Sequence, residues 1–208
     1  MIATTSRKIA PLSNIFRTLS NKTRNVSNDI PSFRQNFKPR TEQQLNFQIG
    51  QELMASHAYL AMANFFGRTE IALQGSSSFF RAMSDEEREH AMSLIDYQNM
   101  RGGKVKMIGV EKPNEQFKDE FSSLSAAIEE SLLIERGNAA TLSELVRIAE
   151  SDGDIATVDF ICTKFLHEQM SALQNLGNIL MRLKRFEQKG LGEYLIDQEF
   201  LKDYQKKG

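Results

Sequence analysis

The feature that most constrains this chain is a long, nearly uninterrupted supply of strong helix formers. From Thr41 onward the sequence contains a single proline, Pro113. The segments on either side of it are rich in Ala, Leu, Met, Glu, Gln and Lys, which favour the α-helix. This pattern predicts four long helices, at about 40–66, 76–101, 122–150 and 157–186, and a shorter fifth one at about 191–204.

The breaks between these predicted helices differ in length. Those at 67–75 and 152–154 are short, so the first two and the last two helices are expected to be antiparallel neighbours. The connection 102–120 reaches roughly 60 Å at ~3.3 Å per residue, while a helix of about 28 residues is only about 42 Å long. It can therefore run the length of a bundle. The predicted fold is an all-α four-helix bundle with one long crossover and a short fifth C-terminal helix.

The charge of the chain is unevenly distributed. Residues 1–40 contain eight Lys or Arg and one acidic residue, a net charge of +7, whereas the rest carries 18 basic and 26 acidic residues, a net charge of -8. An acidic body does not suit nucleic acid, whose phosphates require a basic face. No run approaches the ~18 apolar residues that a membrane helix needs, so no spanning segment is predicted. One cysteine cannot form an internal disulfide, which fits a reducing compartment.

The first 33 residues have the composition of a mitochondrial transit peptide, because they are rich in Arg, Ser, Thr and Asn and almost free of acidic residues. Four apolar side chains recur there at helical spacing: Ile9, Leu12, Phe16 and Leu19. We therefore expect residues 1–33 to direct the protein to the mitochondrial matrix and residues 34–208 to form the bundle. The alternative is a basic tail on a cytoplasmic protein.

Each long helix has a stripe of residues spaced alternately three and four apart, the spacing that bundle helices bury. The stripes are Leu45, Ile49, Glu52, Ser56, Tyr59, Ala63 and Phe66; Phe80, Met83, Glu87, His90, Leu94 and Tyr97; Leu124, Ile128, Ser131, Glu135, Asn138, Leu142 and Leu145; and Val158, Cys162, Phe165, Gln169, Ala172, Leu176 and Ile179. Strong polar groups interrupt all four stripes. The sequence thus predicts a polar zone within an apolar core.

The interruptions lie close to the midpoints of their helices, so we expect them to meet: Glu52, Glu87, His90, Glu135 and Gln169. Burying one unpaired carboxylate costs several kcal/mol, and three together also repel each other. A pair of metal ions removes both penalties. Three carboxylates, an imidazole and an amide form an oxygen-rich set that favours iron or manganese. Glu87 and His90 also reproduce the Glu-x-x-His element of di-iron carboxylate proteins.

Five stretches carry a resemblance to a known family: Gln51–Tyr59, Asp85–Ala91, Gln98–Gly103, Leu166–Gln169 and Gly192–Asp197. In their order and residues they resemble ferritin, specifically its catalytic heavy-chain type. The resemblance extends from about Arg34 to Leu201. It implies the ferritin-like form of the four-helix bundle, and the basic leader is similar to that of mitochondrial ferritins.

The resemblance also implies a function and a ligand set. Glu52, Glu87 and His90 would bind one iron, and Glu87 would bridge to a second iron held by Glu135 with Gln169 nearby. Tyr59 would hydrogen-bond this ferroxidase centre. Two Fe(II) would be oxidised by O2, and ferric mineral would be deposited in a homo-oligomeric shell of 24 subunits, with iron and O2 as the partners.

At the family's cavity-facing positions the chain has Glu86 and Glu89, candidate residues for mineral nucleation, but Met92 where storage chains often continue the acidic patch. Asp159 matches the first acid of the family's three-fold pore, or caps the start of the fourth helix, whereas Cys162 replaces the second acid. Glu199 replaces a histidine that the family often has near its four-fold opening.

Alternative interpretations are open at this point. A lone His90 is more often structural than a ligand, and Tyr59 also fits simple core packing. Glu86 and Glu89 also fit a solvated face. His57 and His167 lack such converging partners on the other helices and are expected to be exposed or structural. A silent shell subunit would lack Glu87 and His90, and a di-iron oxidase with an organic substrate would carry a second Glu-x-x-His, which this sequence does not contain.

Overall fold

The computed structural model describes residues 34–106, 120–186 and 189–204. The proposed leader, residues 1–33, and most of the crossover, residues 107–119, lie outside this part of the chain. Within it the helices are α1 (Pro39–Phe66), α2 (Gln74–Met100), α3 (Leu124–Asp152), α4, which is built from Ile155–Ile161, Cys162–Leu166 and His167–Arg185, and α5 (Lys189–Tyr204). None of these described helices is long and apolar enough to cross a membrane.

Side-chain contacts establish how the four long helices run. Ser77 near the start of α2 donates to the carbonyl of Ala63 near the end of α1, and Ser56 donates to the carbonyl of Ser84 further along α2. Thr41 at the start of α1 donates to Asp152 at the end of α3. Since α1 is antiparallel to both α2 and α3, those two helices point the same way. The expected all-α bundle with a short C-terminal helix is therefore confirmed.

The two described ends of the crossover lie at opposite ends of the bundle. Glu42 near the start of α1 accepts from the backbone N–H of Lys104 at 2.6 Å. On the far side, Phe121 packs edge-on against Phe65 near the end of α1, with ring centroids 5.5 Å apart. The segments that flank the predicted crossover are therefore separated by the length of the bundle.

Local signals determine the helix ends. Pro39 occupies the first turn of α1, where its missing N–H costs nothing, and the Ser123 hydroxyl caps α3 by accepting from Ala126 N–H at 3.1 Å. Gly153 ends α3 with a φ of 74°, in the left-handed region that glycine tolerates best. The cap of α4 is Asp154, which accepts from Thr157 N–H. The expectation that Asp159 caps this helix is wrong, because Asp159 lies inside the helix.

The core consists of two apolar clusters separated by a polar zone. One cluster includes Tyr59, Phe66 and Phe80, and the other includes Leu45, Leu94 and Leu142. Along α1, Glu52 lies between the residues that belong to the two clusters. The stripes predicted for the first three helices are buried throughout, apart from a half-buried His90. The prediction of polar groups inside the core is therefore confirmed.

The first half of α4 departs from its predicted register. The expected core residues Val158 and Cys162 are only half-buried, and Thr157 and Ile161 are buried in their place. The cause is the π-helical turn Cys162–Leu166, which accommodates one extra residue. A residue inserted at this point moves the buried face before it back by one position, while Phe165 and Gln169 stay on the core side.

Helix α5 is attached to the beginning of α2. The Asp197 carboxylate accepts from the backbone N–H of Ser76 at 2.6 Å and from its hydroxyl at 2.9 Å. Phe200 stacks on Phe79 with ring centroids 4.2 Å apart. A Cβ on Gly75 would lie 1.9 Å from the backbone oxygen of Asp197, so only glycine permits this approach.

We therefore expect Gly75→Ala to destabilise the docking of α5, by about 1–3 kcal/mol, since backbone atoms must move apart. The measurement is the thermal unfolding midpoint. The matched control is Gly137→Ala in α3, where a Cβ meets no described atom within 4 Å. That control should gain about 0.5–1 kcal/mol, as an alanine does in a helix interior. Equal midpoints for the two variants would contradict the role assigned to Gly75.

Candidate metal centre

Five of the six residues predicted for the site lie in the polar zone of the bundle, and Tyr59 reaches it from the adjoining apolar cluster. They come from four helices: Glu52 and Tyr59 from α1, Glu87 and His90 from α2, Glu135 from α3 and Gln169 from α4. Five of them are buried, and His90 is half-buried. The midpoints of the helices do meet, as their sequence positions required.

Glu52, Glu87 and His90 form one group of possible ligands. Each offers one ligand atom, and these atoms all lie within 4.8 Å of one another. Nδ1 of His90 is 3.4 Å from Oε2 of Glu87, three residues earlier on the same face of α2. Two carboxylates and an imidazole converging in this way are able to hold a divalent cation.

Glu135 and Gln169 are two further polar side chains at the centre, and Glu135 interacts with Glu87. Gln169 Nε2 donates to the Glu135 carboxylate and, at 2.9 Å, to the Glu135 backbone oxygen. Tyr59 Oη donates to Oε1 of Glu135 at 2.5 Å. The predicted hydrogen bond of Tyr59 to the centre is thus made to this carboxylate. Glu87 interacts electrostatically with both Glu52 and Glu135, which makes it the carboxylate common to the two halves.

Burial raises the pKa values of Glu52, Glu87 and Tyr59 at the centre. Loss of solvent raises the pKa of Glu52 well above its usual value, and the neighbouring charge of Glu87 adds to the rise. Burial likewise raises the pKa of Glu87 to about 8, with Glu135 contributing. Burial, followed by the Glu135 charge, also raises the pKa of the Tyr59 hydroxyl. The metal-free site therefore holds protons that bound cations would displace.

Two residues at the centre were missed by sequence reasoning as functional groups. Gln48 Nε2 donates to Oε1 of Glu52 at 2.8 Å, and Asn138 Nδ2 donates to Oε2 of Glu52 at 2.9 Å. The signal was available in the spacing, because Gln48 precedes Glu52 by one turn and Asn138 follows Glu135 by three residues. Asn138 was expected in the core stripe, but without a role.

A surface cavity of about 770 Å³ borders the centre at His90. Its lining is strongly charged and includes Arg81, Asp85, Glu86, Glu89, Lys164 and Glu168. Nε2 of His90 is 3.3 Å from Oε2 of Glu168, and these two residues with Glu86 form a second possible ligand group. Glu168 was overlooked because it lies next to Gln169, outside the predicted stripe. The half-buried His90 thus connects the interior site with solvent.

Other residues singled out in the sequence lie away from the centre. His57 and His167 are exposed, as expected. Asp159 is exposed and Cys162 is half-buried. Glu199 pairs with Arg182 at 2.5 Å, so its charge is balanced within the chain.

Comparison with known proteins identifies the family. A protein-family model described as "Ferritin-like domain" matches residues 42–186 of the chain. The chain is 38% identical to soma ferritin of Lymnaea stagnalis over 83% of its own length and 97% of that relative. It is 40% identical to ferritin-2 heavy chain of Schistosoma mansoni, over 79% and 93% of the two chains, and 36% identical to ferritin light chain of Bos taurus, over 81% and 96%. The chain therefore belongs to the ferritin family, whose members are subunits of iron-storage shells.

Proposed function

We propose that this protein is a ferroxidase subunit of the catalytic heavy-chain type, which oxidises Fe(II) with O2 inside its own bundle. The observation that carries the proposal is the buried group of Glu52, Glu87 and His90, with Glu135 adjoining it. Two of the relatives are named as a heavy chain and a light chain, so family membership alone does not distinguish the types. The ligand residues favour the catalytic type, because a silent subunit would lack Glu87 and His90.

In the proposed centre, different residues bind each of two substrate Fe(II) ions. Glu52, Glu87 and His90 hold one Fe(II), and Glu87 and Glu135 hold the other, with Gln169 beside it. Each ion loses one electron, and the two electrons together with two protons from water reduce one O2 to H2O2. The carboxylates favour this step since hard anionic oxygens stabilise Fe(III) over Fe(II). A neutral amide binds Fe(III) less strongly than a carboxylate does. The Gln169 side is therefore where product iron leaves most easily.

The product is deposited as a mineral within a shell that we take to contain 24 copies of this chain. Glu86 and Glu89 line the surface cavity next to the centre and are the candidate nucleation residues. The attraction of an acidic three-fold funnel for entering iron is weakened, because Cys162 replaces the second acidic residue of that pore. The exposed Asp159 is the acid that remains.

Oxygen uptake on addition of Fe(II) tests this function directly. The native protein should consume O2 at a rate proportional to its concentration, beginning with the first two Fe(II) per chain. The Glu87→Lys, His90→Gly double variant should lose this fast phase, because a cation replaces the shared carboxylate and the imidazole is gone. Size-exclusion chromatography confirms that both form the shell. Equal fast phases in two assembled shells would refute the assigned centre.

For localisation, we propose import into the mitochondrial matrix directed by residues 1–33. The support is the +7 charge of residues 1–40 and the near absence of acidic residues there. A reporter fused to residues 1–33 should accumulate in mitochondria, and the same fusion with Arg7, Lys8 and Arg17 changed to Gln should not. Diffuse cytosolic signal from the unaltered fusion would favour the alternative, a basic tail on a cytoplasmic protein.

A further inference from the structure

The Glu52 carboxylate differs from its neighbours in what surrounds it. Each of its two oxygens accepts a hydrogen bond from a neutral side-chain amide, Gln48 at 2.8 Å and Asn138 at 2.9 Å. A carboxylate oxygen has two lone pairs, so each oxygen keeps one for a cation. The two amides therefore hold the carboxylate in a single orientation without competing with a metal ion for it.

The environment of Gln48 shows how its side chain is used in the hydrogen bond to Glu52. The side chain has no exposure to solvent, its Nε2 donates to Glu52, and its Oε1 has no hydrogen-bond partner among the described residues. An unsatisfied buried acceptor costs about 1–3 kcal/mol. An apolar side chain of the same size would avoid that cost. What distinguishes Gln48 is the partner of its amide, because that partner is the Glu52 carboxylate and the hydrogen bond orients it.

Asn138 donates to Glu52 from a different helix of the bundle. It lies on α3, three residues after Glu135, and is 4% exposed. Helix α3 therefore supplies a ligand candidate for one half of the centre and, through Asn138, orients a ligand of the other half. The two amides approach Glu52 from different helices, so they restrain it in more than one direction.

We propose that Gln48 and Asn138 are a positioning pair that orients Glu52 before a cation arrives and so sets the affinity of the Glu52–Glu87–His90 group for its first divalent ion. The inference rests on the proposed ferroxidase function for its purpose, but its claim concerns cation affinity. Residues that orient metal ligands commonly change affinity by about 10- to 100-fold when removed. Neither amide is itself a ligand in this assignment.

The test uses Gln48→Met and Asn138→Leu, alone and combined, in the full chain. Gln48→Met keeps the approximate length of the side chain, Asn138→Leu keeps its branching, and both remove the amide donor. Calorimetric titration of the metal-free protein with Co²⁺ alone should show about 10-fold weaker binding of the first ion in each single variant and about 100-fold in the double variant. The visible absorption of bound Co²⁺ should also change, because a reoriented carboxylate alters the ligand field.

Gln98→Met is the matched control. Gln98 is also fully buried, also donates through Nε2, and also has an Oε1 without a hydrogen-bond partner among the described residues, but it donates to the backbone oxygen of Lys104 at 2.7 Å. It should shift the unfolding midpoint about as much as Gln48→Met does. Its Co²⁺ affinity and spectrum should remain those of the native protein.

Kinetics separate positioning from catalysis. The double variant should raise the KM for Fe(II) in proportion to the loss of Co²⁺ affinity. Its kcat should change by less than about 3-fold, because saturating Fe(II) restores the bound orientation of Glu52.

Native Co²⁺ affinity, spectrum and KM in the double variant would overturn the proposal, as would native protein that binds no Co²⁺. Tighter Co²⁺ binding by Asn138→Asp would also overturn it, by indicating that position 138 contacts the ion. Native protein that binds Co²⁺ but does not oxidise Fe(II) would refute the proposed function alone.

Discussion

The Glu87→Gln protein is expected to oxidise Fe(II) about 100-fold more slowly than the native protein, equivalent to about 2.7 kcal/mol of activation free energy. Glu87 interacts electrostatically with both Glu52 and Glu135, so in the proposed centre it contributes to both iron sites. The substitution keeps the shape of the side chain and removes its negative charge. In the proposed centre both ions thereby lose an anionic ligand that stabilises Fe(III) over Fe(II).

The rate to be measured is the initial rise of ferric absorbance at two Fe(II) per chain, before mineral growth contributes. The matched control is Glu150→Gln, the same chemical change at an exposed position of α3. That variant should keep the native rate to within about 2-fold, since a solvated charge far from the centre is screened. A Glu87→Gln rate equal to that of the control would remove Glu87 from the centre.

The metal-free protein is expected to lose stability as the pH rises from about 5 to about 8. Burial raises the pKa of Glu87 to about 8 and that of Glu52 in the same direction, so the folded protein retains protons that the unfolded chain has already released. The stabilisation is complete below the unfolded pKa near 4.5 and decreases as the pH approaches the folded value. The slope for Glu87 alone is about 1.4 kcal/mol per pH unit over this range.

Thermal unfolding of the metal-free protein between pH 5 and pH 8 measures this effect. The Glu52→Gln, Glu87→Gln variant has no such protons to lose and should show a much flatter midpoint across the range. Saturating Zn²⁺ should reverse the trend in the native protein, because cations bind the deprotonated ligands and bind better at higher pH. A midpoint of the metal-free native protein that rises steadily toward pH 8 would contradict the raised pKa values.

The positions of the candidate ligands were predictable because helix periodicity is a local property. Glu52, Glu87 and Glu135 interrupt otherwise apolar stripes, and an apolar stripe on a bundle helix faces the core. The burial of these carboxylates therefore followed from spacing alone. The length of residues 102–120 similarly allowed a crossover along the bundle, and with it a parallel arrangement of α2 and α3.

The partners of individual oxygen and nitrogen atoms were not predictable in this way. Gln48 and Asn138 both bind Glu52, although one lies on the same helix and the other lies across the bundle. The π-helical turn at Cys162–Leu166 shifts the buried face of α4, and nothing in a regular three-and-four spacing reveals where an extra residue is accommodated. Such features depend on the packing of neighbouring helices.

By itself, the sequence determined that this chain forms an all-α bundle with carboxylates, an imidazole and an amide inside it, because periodicity and hydrophobicity decide which side of each helix is buried. Only the tertiary structure decided that Tyr59 and Gln169 both bind Glu135, and that α5 attaches to α2 through Asp197 and Ser76. Hydrogen bonds depend on tenths of an ångström between helices distant in sequence. Such distances arise only when the helices pack.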